Sequence, residues 1–92
     1  MQKSKKNLDK LRKEIDIVDN QFLKFLSKRM KIVNLIGVYK KEQGLPALDN
    51  KRWREVRNSR VKKGKQLGLS ESFMTKILEC IHEEALKIEE KL

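Results

Sequence analysis

LDKLRKEIDIVDNQFLKFLSKRMKIVNLI, residues 8–36, decides the fold of this chain. Its apolar side chains fall at Leu8, Leu11, Ile15, Val18, Phe22, Phe25/Leu26, Ile32/Val33 and Ile36. These steps of three and four line up along one side of an α-helix. Nothing breaks the run before Gln43-Gly44-Leu45-Pro46. There a glycine supplies a C-cap and a proline forbids continuation, so the spacing predicts a helix over roughly 5–42, with Gly37 tolerated inside it. At about 1.5 Å per residue such a helix is about 60 Å long. A compact chain of 92 residues has a radius of gyration of only about 12 Å. One protomer cannot cover that helix, and the physical solution is a partner chain whose own long helix packs antiparallel against it.

Beyond the proline, Asp49 is a good N-cap for a second helix that carries Trp53, Val56 and Val61 inward and ends around Gly64 to Gly68. Ser70 caps a third, with Glu71 in its first turn and Phe73, Ile77, Leu78, Ile81, Ala85, Ile88 and Leu92 as its buried face. No strand alternation, internal repeat or flexible linker is present. The reading is all-α, with three helices per chain (long, short, medium) in an intertwined helical homodimer and residues 1–92 forming a single domain.

The chain holds 23 Lys+Arg against 13 Asp+Glu, a net charge of +10. That excess suits a polyanion, an acidic small molecule or simple solubility, and charge alone does not choose among them. Few aromatics are present and none interleaves with a basic run in a stacking pattern, which weighs against nucleic acid. Cys80, the single cysteine, cannot form an intrachain disulfide, and no Cys/His cluster has the spacing of a zinc site. The basic start Met1-Gln2-Lys3-Ser4-Lys5-Lys6 is followed by no apolar h-region, and no apolar run approaches membrane-spanning length. The expectation is a cytoplasmic protein without metal, membrane or nucleic-acid partner.

Polar residues on or beside an apolar stripe are informative, because burying an unpaired charge is expensive. In the long helix these are Arg29 and Lys40. Eleven positions at about 100° each return to within about 20° of one direction, so both cations share a face and could hold a small dianion from two ends. Arg12 also borders the stripe, but at about 25 Å from Arg29 it reaches the same small ligand only from the antiparallel partner. The alternative is that these cations snorkel at the edge of the stripe. Cys80 and His82 read as packing or surface residues, and Lys62-Lys63-Gly64-Lys65 as cations complementing a helix C-terminus. No Gly-rich phosphate loop, carboxylate pair of glycosidase type or nucleophile–base signature is visible.

The run Leu11-Arg12-Lys13-Glu14-Ile15-Asp16 with Asp19 resembles the opening of the small all-α chorismate mutases. So do Arg29, Gly37 and Lys40 at their observed spacing, and Leu48-Asp49-Asn50-Lys51-Arg52 is similar to the start of that family's second helix. Leu45-Pro46 through Arg52-Trp53, with Gly68-Leu69-Ser70 and Ile81-His82-Glu83-Glu84, resembles the branch often fused to aromatic-pathway synthases.

The resemblance implies the cofactor-free rearrangement of chorismate to prephenate in aromatic amino-acid biosynthesis. A site for it needs only to hold the dicarboxylate in its reactive conformer and to stabilise charge on the breaking ether oxygen. Carried over by position, Arg29 and Arg12 of the partner subunit would pair with the two carboxylates, and Lys40 would reach a carboxylate and the ether oxygen. Asp49 would help fix the ring hydroxyl and Arg52 would line the pocket.

Three positions depart from the family pattern. Trp53 stands where many relatives have a hydroxyl-binding glutamate. Ala85 stands where serine is common, losing a hydrogen bond worth about 1 kcal/mol. Glu89 stands where many relatives have a glutamine that donates to the ether oxygen, so it would act there only when protonated. Docking to an aromatic-pathway enzyme is left open by the resemblance. Two other functions remain: an isochorismate–pyruvate lyase, which shares the fold and a similar basic pocket, and a non-catalytic helical binding or regulatory module, either a basic nucleic-acid binder or an interaction domain.

Overall fold

The computed structural model describes residues 2–92, with side chains described from Lys5 onward. Met1, where the basic start and the expected 1–92 domain begin, lies outside the described residues. The elements are three helices, α1 (Gln2–Glu42), α2 (Asn50–Gln66) and α3 (Glu71–Glu90), and there is no strand among the described residues. The all-α expectation holds, and α1 begins a turn before its predicted start. None of the helices is long and apolar enough to cross a membrane.

Local chemistry sets each boundary. Gly44, at φ +68°, ends α1: its N–H donates to Lys41 O at 3.3 Å and that of Leu45 to Lys40 O at 2.8 Å. Gly68, at φ +88°, ends α2 in the same way, with Leu69 N–H donating to Gly64 O at 2.9 Å. Both are glycine-ended caps of the kind a residue with a Cβ adopts only under strain. Asp49 caps α2 by accepting from Arg52 N–H at 3.0 Å, and Ser70 caps α3 by accepting from Phe73 N–H at 3.3 Å.

Backbone contacts divide the chain into two units, Met1–Lys31 and Ile32–Leu92. The first is a single helical stretch in which Leu11, Ile15, Val18, Phe22 and Phe25 are each more than half exposed. The second contains the end of α1, α2 and α3, and its core is Val33, Val56, Leu78 and Ala85 with Gly37 and Gly64. Helices α2 and α3 pack against each other. Gly64 permits this, since a Cβ there would lie 2.6 Å from Met74 Cγ.

Phe73, expected on the buried face of α3, is instead 50 % exposed. Five positions at about 100° turn it about 140° away from Leu78, and Met74 takes the inward place. The other expected members, Ile77, Leu78, Ile81, Ala85, Ile88 and Leu92, are buried or half-buried, and Met74, His82 and Glu89 join them.

Candidate active site

Lys40 lies in the last turn of α1 and Glu89 in the last turn of α3, and within the second unit the two helices come close at Gly37. A Cβ at Gly37 would stand 3.2 Å from Glu89 Cα and 2.6 Å from Leu92 Cδ1, so only a bare backbone lets α3 approach here. The approach brings Lys40 Nζ to 2.8 Å from Glu89 Oε1, with side chains 21 % and 9 % exposed. The same ammonium donates to Ala47 O at 2.7 Å, on the segment joining α1 to α2. A half-buried cation held from two sides has lost much of the freedom that makes exposed lysines poor recognition groups.

Glu89 Oε1 is buried against the Lys40 ammonium, and Coulomb attraction between the two offsets the cost of burying the carboxylate. Gly37, Lys40, Leu45, Ala47, Glu89 and Leu92 line a cleft of about 250 Å³ there, and Lys41 Nζ donates to Leu92 O at its rim. Pockets that bury a small ligand by themselves hold about 300–1,000 Å³, so this cleft is a partial wall.

The other expected site residues are distributed as follows. Ala85 is buried, one turn before Glu89 on the same face of α3. Asp49 spends Oδ1 on the α2 cap, and Arg52, whose N–H it accepts, is exposed. Trp53 is half-buried and stacks on His82 of α3, ring centroids 4.0 Å apart and planes 7° from parallel. Arg12 and Arg29 lie on α1 in the first unit with exposed side chains.

Sequence reasoning missed the Ala47 carbonyl, which has no sequence signal. His82, read as a packing or surface residue, does pack: it is half-buried against Trp53 on the face of α3 shared by Ala85 and Glu89. Among the described residues no cluster of His, Cys, Asp or Glu is arranged to hold a metal ion.

The family model described as chorismate mutase type II matches residues 11–90. No curated protein and no solved structure gives a match.

Proposed function

We propose how this chain, which belongs to the chorismate mutase type II family, performs the family's reaction, the isomerisation of chorismate to prephenate. In that rearrangement the ether C–O bond breaks as a C–C bond forms within one molecule. No electron, proton or group leaves or enters. The protein's task is to fix a compact conformer of the dicarboxylate and to stabilise negative charge developing on the ether oxygen.

Lys40 is the residue on which this reading rests. Its ammonium is held between Ala47 O and Glu89 inside the cleft, a placed positive charge in a partly dehydrated site. Substrate binding moves it from Glu89 to a carboxylate and the ether oxygen. Glu89, once protonated, donates to that oxygen, the task glutamine serves in many relatives. Arg29 and Arg12 of the partner subunit take the carboxylates, with Asp49 at the ring hydroxyl and Arg52 beside it. Trp53 and Ala85 give the wall its shape.

The remainder of the site comes from a second copy of the chain. Leu11, Ile15, Val18 and Phe22 stand more than half exposed on the first unit. Covering such side chains contributes roughly 1.5–3 kcal/mol each. An antiparallel α1 from a twin chain covers both sets at once, because an isologous interface buries the same patch twice. In that homodimer residues 1–92 act as one domain, and the setting is cytoplasmic.

The test follows chorismate absorbance with purified protein and with Lys40→Ala. Loss of one preorganised charge at a developing oxyanion lowers turnover by about 10²–10³-fold while the mass in solution stays that of a dimer. Near-normal turnover by Lys40→Ala would remove the assignment.

A further inference from the structure

We infer that the outward face of α2 is a second binding site, for the phosphodiester backbone of nucleic acid, read without reference to base sequence. Helix α2 holds eight of the 23 Lys+Arg and only Glu55 of the 13 Asp+Glu, so this short helix carries +7 of the net +10. Helix α1 also carries +7, but over 41 residues, so the charge is densest on the 17 residues of α2. Residues 5–19 of α1 set Lys5, Lys6, Lys10, Arg12 and Lys13 against Asp9, Glu14, Asp16 and Asp19.

The structure shows where the α2 cations point. Val56 and Gly64 are buried and Trp53, Arg57 and Val61 half-buried, which fixes the side of α2 turned inward. On the opposite side Lys51, Arg54, Asn58, Lys62 and Lys65, in steps of three and four, form one exposed stripe. Among the described residues, Lys65 is the one α2 cation with a carboxylate partner, Glu71 at 3.4 Å, with both side chains more than half exposed. Like charges three and four residues apart oppose one another, and the chain itself does not neutralise these.

Length and chemistry identify the occupant. From Lys51 to Lys65 the stripe runs about 21 Å, too long for a small dicarboxylate and matched to about six phosphates of one strand. Protein interfaces are depleted in lysine and centre on aromatic or aliphatic anchors. Here the side chains between the cations are Asn58, Glu55, Ser59 and Gln66, and the one apolar neighbour at the stripe's edge, Val61, is half-buried. With no exposed apolar side chain, the stripe lacks what a helix needs to insert into a lipid surface. A face with charge and no stacking aromatic grips phosphates and leaves bases unread. The want of interleaved aromatics in the sequence weighs against base stacking and leaves backbone binding untouched.

The experiment measures binding of the whole chain to a labelled duplex DNA and to the same sequence as duplex RNA, across a salt series. It compares the wild type with the fourfold variant Lys51→Gln, Arg54→Gln, Lys62→Gln, Lys65→Gln, none of which is assigned to the chorismate site. With about four phosphates neutralised, log K falls against log salt with a slope of about −3.6. The variant loses at least about tenfold in affinity at 50 mM salt and most of that slope, while keeping its helicity and chorismate turnover. Binding of either duplex in this pattern supports the inference, and a preference between them names the source. No binding at low salt, equal binding by the variant, or tighter capture of poly-glutamate or of anionic vesicles than of either duplex would overturn it.

Discussion

Along α1 the stretch up to Lys31 keeps Leu11, Ile15, Val18 and Phe22 more than half exposed, whereas the stretch from Ile32 buries Val33 and Gly37. Both have the same apolar periodicity, so helix propensity and pattern do not separate them. What differs is the content of each unit. The second brings α3 against α1 at Gly37, while the first contains no other element. Periodicity declares that a face will be covered and is silent about whether the cover lies in the same chain. The residues proposed for the reaction divide along the same line, Lys40 and Glu89 belonging to the second unit and Arg12 and Arg29 to the first.

The strongest way to break this contrast is to make the first unit's face polar. Ile15→Asp with Phe22→Asp should leave a monomer near 10.9 kDa by light scattering. Chorismate turnover should fall at least about 100-fold as the partner's guanidinium leaves the site. A dimer of normal activity would mean that another surface joins the chains.

In the second unit, Gly37→Ala forces a methyl group against Glu89 and Leu92. It should cost about 1–3 kcal/mol in thermal unfolding and reduce turnover by displacing Glu89. Gly44→Ala is the control, because nothing lies within 4 Å of a Cβ there and only its φ of +68° resists substitution. It should cost roughly 1–2 kcal/mol with turnover kept.

A smaller effect sharpens the role of Glu89. Glu89→Gln places a permanent amide donor at that position and should keep or raise turnover, whereas Glu89→Ala should lower it. Equal turnover by the two variants would show that Glu89 does not act on the ether oxygen. Smallest of all, His82→Ala removes the ring stacked on Trp53. It should cost about 0.5–1.5 kcal/mol of stability and shift the emission of the single tryptophan, leaving turnover within a few-fold.

The parts of this molecule that were legible in the sequence are those whose physics is local. Asp49, Ser70 and Gly44 act within a few residues of themselves, and the helix ends they cap fell where that chemistry put them, unlike the start of α1. Lys40 was legible as a cation at apolar register and Glu89 only through the family resemblance, while their direct contact is a matter of how α1 and α3 meet. The Ala47 carbonyl and the Trp53–His82 stack likewise depend on tertiary approach, which no single-chain pattern encodes. Phe73 was misplaced because its spacing from Ile77 fits a helical stripe equally well in two phases, and packing against α2 chose the one led by Met74.

Chorismate disappearance, followed with wild-type protein and Lys40→Ala at matched concentration and confirmed dimer mass, bears on everything above. Turnover by the wild type that drops about 10²–10³-fold in the variant is the expected result. Equal rates in both, or no turnover by the wild type at any pH, would contradict it.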